Sequence, residues 1–202
     1  MVKLVKVGVL ALQGDVREHI LALNECGASA QAVKTHDEIS SIDALVIPGG
    51  ESTTISKLAR SFNLFELISN RILNGMPTYG SCAGLILLAN KVEDAIVGQE
   101  SFGGLDVVAR RNAFGRQVDS FEMDLEIKGI SSPKFRAIFI RAPWIESVGT
   151  KVEVLAQVDG RAVAVRDGHI LATSFHPELT GDNRIHRYFL DVVCKEVAKV
   201  SA

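Results

Sequence analysis

The stretch Tyr79-Gly80-Ser81-Cys82-Ala83-Gly84 places a cysteine between two glycines, where one regular element ends and another begins. The preceding residues, Pro77 to Gly80, have the character of a short strand, and Ala83 to Leu88 are typical of a helix. A G-x-C-x-G sequence in a strand–turn–helix setting predicts a sharp turn that projects the thiol of Cys82 above a sheet edge. The positive end of the following helix would favour the thiolate. A small buried cysteine in a glycine-rich turn would give the same pattern.

Toward the N-terminus, strand-like and helix-like segments alternate. Continuous apolar runs predict strands that are covered on both faces, and the segments between them carry apolar residues at helical spacing. The predicted strands are Val5–Leu12, Ser29–Val33 and Ala44–Pro48, and the predicted helices are Val16–Cys26, a segment through Ile55, Leu58 and Ala59, and Leu64–Leu73. This alternation predicts a three-layer α/β fold, an open and mostly parallel sheet flanked by helices.

The second half of the chain has a different pattern. Turn signals such as Asp159-Gly160 and Asp167-Gly168 suit hairpins, which predicts added antiparallel strands. The predicted strands are Val107–Ala109, Phe121–Ile127, Ala137–Ile140, Val152–Val158, Ala162–Val165 and Ile170–Phe175. We expect an irregular loop over Gly98–Gly115 and a closing helix over Asp182–Val200. No internal repeat or linker interrupts the sequence, which predicts a single domain over residues 1–202.

Composition and charge exclude several classes of function. A net charge of −2 gives no reason to expect non-specific binding to nucleic acid or to anionic membranes. The apolar N-terminal run is short and interrupted by Lys6, unlike a signal peptide, and no apolar stretch approaches transmembrane length. Cys26, Cys82 and Cys194 are odd in number and far apart, which argues against a disulfide framework and a thiolate zinc site. We therefore expect a cytoplasmic protein without a metal.

A base for the candidate nucleophile is found in Thr173-Ser174-Phe175-His176-Pro177-Glu178. A cysteine nucleophile needs a base, and that base needs an orienting group. His176 and Glu178 are two residues apart on an extended segment, so both side chains can project from one side. His176 would take the thiol proton, and Glu178 would fix its tautomer and stabilise the imidazolium. Taken alone, this segment is equally compatible with a surface histidine beside an unrelated glutamate in a loop.

A third motif, Ile47-Pro48-Gly49-Gly50-Glu51-Ser52-Thr53-Thr54, joins a buried strand to a helix. Paired glycines expose backbone N–H groups, which suits an oxyanion hole. The sequence lacks the lysine and the second glycine of a Walker A loop. A simple strand–helix turn with Ser52 or Thr53 as N-cap is the alternative, and both interpretations are compatible.

Taken in order and over this length, these motifs resemble those of a class I (triad) glutamine amidotransferase, with a flavodoxin-like fold. Three more segments narrow the resemblance to the PdxT family, the glutaminase subunits of pyridoxal 5′-phosphate synthase. These are Gly8-Val9-Leu10-Ala11-Leu12-Gln13-Gly14, Arg111-Asn112-Ala113-Phe114-Gly115-Arg116-Gln117 and Phe139-Ile140-Arg141-Ala142-Pro143. The chain departs from the family at Ser81, more often threonine, and at Tyr79, often phenylalanine; neither should disturb the chemistry.

The resemblance implies an activity and a role for particular positions. It implies hydrolysis of L-glutamine to glutamate and ammonia, without a cofactor, and delivery of the ammonia to a separate synthase subunit (PdxS). The implied catalytic triad is Cys82, His176 and Glu178, and the implied oxyanion hole is formed by the N–H groups of Gly49 and Ala83. The implied glutamine contacts are Gly50, Glu51, Ser52, Arg111, Ile140 and Arg141. Gln13 matches a region that meets the partner and helps to arrange the oxyanion hole.

The remaining polar residues receive simpler interpretations. An arginine is a natural bidentate partner for the α-carboxylate of glutamine, and Arg111 and Arg141 are both candidates. Without the resemblance, Arg110, Arg111 and Arg116 would be read as a solvated basic stretch; partner docking is another possibility. We expect His19, His36 and His169 to be polar surface residues, and His186 to lie outside the site. Cys26 and Cys194 are expected to fill the core.

Two other classes of function remain open at this stage. The chain could be another cysteine hydrolase on a similar sheet, such as a peptidase or deglycase of the DJ-1 group, although the separate His-Pro-Glu argues against this. It could also be a glutamine-sensing subunit with a degenerate site, against which the complete Cys–His–Glu set argues.

Overall fold

The computed structural model describes residues 4–111 and 120–195, and its first half alternates strands and helices as the sequence predicts. The elements of this half are β1 (Lys6–Leu10), α1 (Val16–Glu25), β2 (Ser29–Val33), α2 (His36–Ser40), β3 (Ala44–Ile47), α3 (Ser52–Ser61), α4 (Phe65–Leu73), β4 (Thr78–Ser81) and α5 (Ala83–Leu88). The second half is mostly strands: β5 (Ala89–Glu93), β6 (Leu105–Arg110), β7 (Ser120–Leu125), β8 (Phe135–Ile140), β9 (Trp144–Val148), β10 (Glu153–Val158), β11 (Arg161–Asp167) and β12 (Ile170–Thr173). A 3₁₀ turn (Pro177–Leu179), α6 (Arg184–Tyr188) and a π-helical segment (Phe189–Cys194) follow.

The parallel part of the main sheet places the functional loops together. Its strand order is β2-β1-β3-β4-β12, and each of these neighbouring pairs is parallel. The carboxyl ends of parallel strands share one edge of a sheet, which is where α/β proteins bind their ligands. The loops after β1, β3, β4 and β12 therefore meet there, and they carry Gln13, Gly49, Cys82 and His176.

Antiparallel strands extend the sheet beyond β12. The order continues β11-β9-β6-β5, with β10 paired to β11, and β7 and β8 form a separate two-stranded sheet. Two apolar clusters cover the two faces of the main sheet. Leu45 and Ile47 of β3 belong to one cluster, and Ala44 and Val46 belong to the other, as the strand alternation requires. The predicted three-layer α/β architecture is thus confirmed.

Several sequence predictions needed correction. The predicted strand Val107–Ala109 lies within β6, which is longer and interrupts the predicted loop over Gly98–Gly115, and β5, β9 and α2 were not predicted. The closing helix does not continue in α form, because a π-helical segment follows Tyr188 and turns Phe189, Leu190 and Val193 into the core. Residues 196–200 of that prediction lie outside the described part of the chain. No helix among the described residues is long and apolar enough to cross a membrane.

Two histidines expected at the surface or away from the site are buried together. His19 of α1 and His186 of α6 have no exposed surface, and His19 Nδ1 lies 2.9 Å from His186 Nε2. Burial lowers the pKa of His186 to about 4. Burial, with further contributions from His186 and His176, also lowers the pKa of His19. Both rings are therefore neutral near neutral pH.

This burial predicts an acid-sensitive fold. Because the folded pKa of His186 lies below its ordinary value of 6.5, the unfolded chain binds more protons between those two values. The contribution of neutral His186 to the free energy of unfolding is fully present above pH ~6.5 and is lost as the pH drops toward ~4. In His186→Gln, which does not titrate, we expect the loss of unfolding free energy between pH ~7 and ~5 to shrink by roughly 2 kcal/mol.

Chemical denaturation at the two pH values measures this difference. His36→Gln is the control, since His36 is exposed and its replacement should leave the pH dependence as it is. An equal pH dependence in His186→Gln and the wild type would contradict the prediction.

Candidate active site

Cys82 occupies a strained turn that two glycines make possible. Its backbone has φ 48° and ψ −99°, a conformation that L residues rarely adopt, and its N–H donates to the carbonyl of Thr173 (2.8 Å). A side chain at Gly80 would overlap the backbone of Gly84, and one at Gly84 would overlap the carbonyl oxygen of Ile47. The helix α5 is thereby held directly against β3. The N–H of Ala83, in the first turn of α5, has no acceptor within the helix.

His176 and Glu178 lie beside the thiol in the arrangement predicted from their spacing. His176 Nδ1 is 2.8 Å from Glu178 Oε1, and the His176 N–H donates to the carbonyl of Ile138 in β8 (2.8 Å). The side chain of Glu178 is completely buried. Cys82 also interacts with His176, raising the pKa of its ring, and both residues line one cavity. The three side chains expected to act together are thus in one chain of contacts.

The charges of this group favour the imidazolium. Burial by itself would lower the pKa of His176, but hydrogen bonds to Asp15, Cys82 and Glu178 outweigh it and raise the pKa to about 12. Burial raises the pKa of Glu178, and the hydrogen bond to His176 opposes that effect. Both shifts hold a proton more firmly on the pair, so His176 is well suited to accept one from the thiol.

Asp15 is a member of this group that the sequence analysis missed. Its Oδ2 lies 3.4 Å from His176 Nδ1, the same nitrogen that Glu178 contacts. Together Asp15, His176 and Glu178 bring one nitrogen and two carboxylates within 4.8 Å of one another, a donor set that a metal ion could use. The hydrogen bond between Nδ1 and Oε1 already satisfies two of these groups, as in a catalytic triad.

The Gly49–Glu51 loop is held by hydrogen bonds from two sides. The Gly49 N–H donates to Ser81 Oγ (3.0 Å), and the Gly49 carbonyl accepts from the Asp15 N–H (3.3 Å). The Glu51 N–H donates to Gln13 Oε1 (2.6 Å). Gly14, at φ 109°, touches the Gly49 carbonyl so closely that no side chain would fit there. The first loop therefore fixes the conformation of the glycine loop.

In this conformation Gly49 is not an oxyanion donor. Its N–H already donates to Ser81 Oγ (3.0 Å). That Gly49 and Ala83 form the hole stays a prediction, and for Gly49 it requires a conformation other than the one described. Gly49 can join it only after its bond to Ser81 breaks.

Glu51 caps the helix that follows the loop. Its carboxylate accepts from the N–H groups of Thr53 (3.1 Å) and Thr54 (2.6 Å), so the N-cap is Glu51 and neither Ser52 nor Thr53. The cap also places a negative charge at the positive end of α3. Arg111 Nη2 reaches the same carboxylate at 3.3 Å.

Gln99 connects two of the expected substrate contacts and was not recognised in the sequence. Its Oε1 accepts from Arg111 Nη1 (2.7 Å), and its Nε2 donates to Ser52 Oγ (3.0 Å). A side-chain amide supplies one acceptor and two donors, which is what this bridge uses. The residue belongs to the segment read as an irregular loop, where no pattern distinguishes it.

A cavity of about 370 Å³ gathers most of these residues, a volume suited to a small molecule. It is lined by Gln13, Asp15, Gly50, Glu51, Ser52, Cys82, Ala83, Ile86, Arg111, Ile140, Arg141, His176 and Leu179. Cys82 Sγ lies 3.8 Å from the Ile140 carbonyl, and Arg141 follows at φ 42° with an exposed side chain. Asn112–Gln117 of the family-like segment lie outside the described residues.

The structure also shows the surroundings of Tyr79, which departs from the family pattern, and of the remaining histidine and cysteine residues. The hydroxyl of Thr173 donates to the Phe175 carbonyl (3.0 Å), so the Tyr79 hydroxyl donates to Thr173 Oγ1 (2.9 Å) and is satisfied in the core. His169 is half-buried rather than exposed, with Nε2 2.7 Å from the Ile72 carbonyl oxygen. Cys194 is buried, as expected, and Cys26 is partly buried.

Comparison with known proteins identifies close relatives over nearly the whole chain. The model of the SNO glutamine amidotransferase family matches residues 9–195. Proteins named pyridoxal 5′-phosphate synthase subunit PdxT are similar in Mycolicibacterium vanbaalenii, with 60% identity over 92% of this chain and 96% of the relative, and in Parafrankia sp., with 58% identity over 95% of each.

Solved structures agree with this result. A glutamine amidotransferase crystal structure matches with a TM-score of 0.86 and 48% identity over 93% of this chain and 98% of that one. A putative GMP synthase component from Thermoplasma acidophilum matches with a TM-score of 0.69 over 100% and 99% of the two chains. At 15% identity, the second match shows the shared fold alone.

Proposed function

Because the chain belongs to the SNO glutamine amidotransferase family, we propose that Cys82, His176 and Glu178 are the catalytic triad with which it hydrolyses glutamine. Its activity is that of a glutaminase, which releases ammonia for the synthesis of pyridoxal 5′-phosphate (vitamin B6). Membership of this family excludes the alternative function of a peptidase or deglycase of the DJ-1 group. The observation that carries the triad is the continuous contact from Cys82 through His176 to the buried carboxylate of Glu178.

The reaction is acyl transfer in two steps. His176 takes the thiol proton, and the sulfur of Cys82 attacks the side-chain carbonyl carbon of glutamine. His176 then gives that proton to the departing nitrogen, so ammonia leaves and a γ-glutamyl thioester remains. A water molecule, deprotonated by His176, attacks the thioester and yields glutamate and the free thiol. Glu178 holds the ring by its Nδ1–H throughout.

The oxyanion of each tetrahedral intermediate needs two donors. We assign them to the N–H groups of Ala83 and Gly49, each worth roughly 3 kcal/mol in enzymes of this kind. Ala83 is available at the start of α5, whereas Gly49 must first leave Ser81 Oγ. Glycines tolerate the backbone change that this requires. The described conformation is therefore the resting state of the site.

The rest of the cavity is suited to the amino-acid end of glutamine. We assign the α-carboxylate to an arginine, since a guanidinium binds a carboxylate through two hydrogen bonds. Arg111 is held by Gln99 and Glu51, and both Arg111 and Arg141 line the cavity. The proposed glutamine contacts are Gly50, Glu51, Ser52, Arg111, Ile140 and Arg141.

We propose that the ammonia passes to a separate synthase subunit, because relatives at 57–60% identity are named as subunits of pyridoxal 5′-phosphate synthase. The first loop suits a link to that partner. Gln13 lines the cavity and also holds the Glu51 N–H, so a partner that moves Gln13 would release the glycine loop. We further propose that residues 1–202 form one glutaminase domain. The cysteines Cys26, Cys82 and Cys194 are unpaired, which supports a reducing cytoplasm.

Cys82→Ser tests the nucleophile. A serine hydroxyl is a much weaker nucleophile than a thiolate, so glutamate release in the presence of the synthase subunit should fall by at least about 100-fold. Cys26→Ser is the matched control, because Cys26 lies away from the cavity, and its activity should match the wild type. Undiminished turnover by Cys82→Ser would exclude the assignment.

Gln99→Ala tests the substrate pocket. Without the amide, Arg111 and Ser52 lose a shared partner, and the KM for glutamine should rise about tenfold while kcat changes less. Steady-state assays at several glutamine concentrations separate the two constants. Gln31→Ala, at an exposed position in the edge strand β2, should leave both constants as they are. An unchanged KM in Gln99→Ala would refute the role of the bridge.

The partner requirement follows from the commitment of Gly49. Since one oxyanion donor is worth about 10²- to 10³-fold in rate, the isolated chain should release glutamate at least about 100 times more slowly than the complex. Glutamate release with and without the synthase subunit measures this ratio. Equal rates would contradict the prediction, because they would show that the hydrogen bond of the Gly49 N–H does not slow the isolated chain.

A further inference from the structure

The buried pair of His19 and His186 is in contact with residues of the proposed active site. His19 Nε2 lies 3.0 Å from Ser81 Oγ and 3.5 Å from Glu178 Oε2. Its other nitrogen, Nδ1, is the atom that contacts His186 Nε2. All four side chains are buried, and of the four only Glu178 has a part in the reaction described above. His19 therefore joins a catalytic group to the core of the protein.

The surroundings of His19 select one tautomer. Within the part of the chain that the structure describes, Glu178 Oε2 and His186 Nδ1 have no hydrogen-bond partner. A proton on His19 Nε2 faces the otherwise unpaired carboxylate oxygen, and His19 Nδ1 then accepts from His186 Nε2–H. The opposite tautomer would point a lone pair at the carboxylate and leave an unpaired N–H on His186. Because an unpaired buried charge is the costlier defect, Nε2 carries the proton.

Three separate parts of the site meet at His19. Ser81 precedes the nucleophile Cys82 and also accepts from the Gly49 N–H. Glu178 orients His176 through its other oxygen, Oε1. The nucleophile turn, the glycine loop and the triad carboxylate are thus tied to one side chain of α1, which begins just after Gln13 and Asp15.

We propose that His19 is a positioning residue of the glutaminase reaction, whose Nε2–H binds the hydroxyl of Ser81 and, at 3.5 Å, supports the outer oxygen of Glu178 by electrostatic attraction. The proposal rests on the proposed function of Cys82, His176 and Glu178. His19 touches no substrate; it holds Glu178 so that Oε1 stays in line with His176 Nδ1. Without this support, the buried carboxylate would turn or take up a proton, and the imidazolium would lose its partner.

The charge of His19 agrees with this role. Burial, His186 and His176 all lower its pKa, so it stays neutral and keeps a single N–H for Glu178. The titratable groups around it are His186 of α6, Glu178 and His176 of the segment after β12, Tyr79 of β4 and Asp15 at the start of its own helix. A neutral ring can support Glu178 without competing for the charge of His176.

Two amide substitutions separate the two nitrogens of His19. The amide nitrogen of His19→Gln can take the place of Nε2, whereas that of His19→Asn reaches only the place of Nδ1. In the complex with the synthase subunit, we expect His19→Asn to lower kcat for glutamine hydrolysis about tenfold or more, with KM nearly unchanged. We expect His19→Gln to retain at least about a third of the wild-type kcat.

His169→Gln is the matched control, since it removes a half-buried histidine that bonds only to the distant Ile72 carbonyl among the described contacts. Equal kcat in His19→Asn, His19→Gln and wild type would overturn the proposal. So would an equal loss in both variants. A Cys82→Ser enzyme that remained active would instead refute the proposed function, so the two failures are distinguishable.

A measurement on the wild type does not depend on whether the variants fold. Two-bond ¹H–¹⁵N correlation spectra report which ring nitrogen of a histidine carries the proton. We expect His19 to be neutral with the proton on Nε2 throughout the pH range in which the enzyme is active. A proton on Nδ1, or a charged ring, would overturn the proposal.

Discussion

The close approach of α5 to the end of β3 is the constraint on which the site depends. Gly84 lies against the Ile47 carbonyl, and Gly80 lies against Gly84, so neither position has room for a side chain. This contact forces the chain to turn sharply at Cys82, which accepts an unfavourable φ of 48°. The turn then sets the thiol beside His176, which enters from β12, the strand next to β4. The tight packing of one helix thus fixes both the turn at Cys82 and its position beside His176.

Around this turn, the site is supported mainly by buried polar contacts. Glu178, Ser81, His19 and His186 are all inaccessible to solvent or nearly so, and burial of such groups is unfavourable unless they are paired. Their mutual contacts bring together β4, α1, α6 and the segment after β12. A network of this kind tolerates little displacement, because moving one member leaves another unpaired. That rigidity keeps the Glu178 carboxylate aligned with His176 through a single hydrogen bond.

The sequence predicted the site where chemistry and backbone pattern coincide. The elbow at Cys82, the His176-Pro177-Glu178 segment and the paired glycines each carry a local signature, and the β–α alternation brings their loops to one sheet edge. Asp15, Gln99 and His19 carry no such signature, because their roles arise from contacts between residues far apart in the chain. In α1, His19 was expected at the surface and is fully buried, whereas Leu21 is 52% exposed. Periodicity identifies a helix but cannot show which polar residue its core face will accept.

The hydrogen bond between the Gly49 N–H and Ser81 Oγ has a consequence for how much glutamine the free subunit hydrolyses in the cell. Glutamine is abundant, and an unattached subunit with a complete site would hydrolyse it to no purpose. If Gly49 is the second oxyanion donor, as we propose, the free subunit meets glutamine in a form poorly suited to stabilise the intermediate, because that N–H is bound to Ser81. On this proposal, a single intramolecular hydrogen bond would keep subunits without a synthase partner from consuming glutamine.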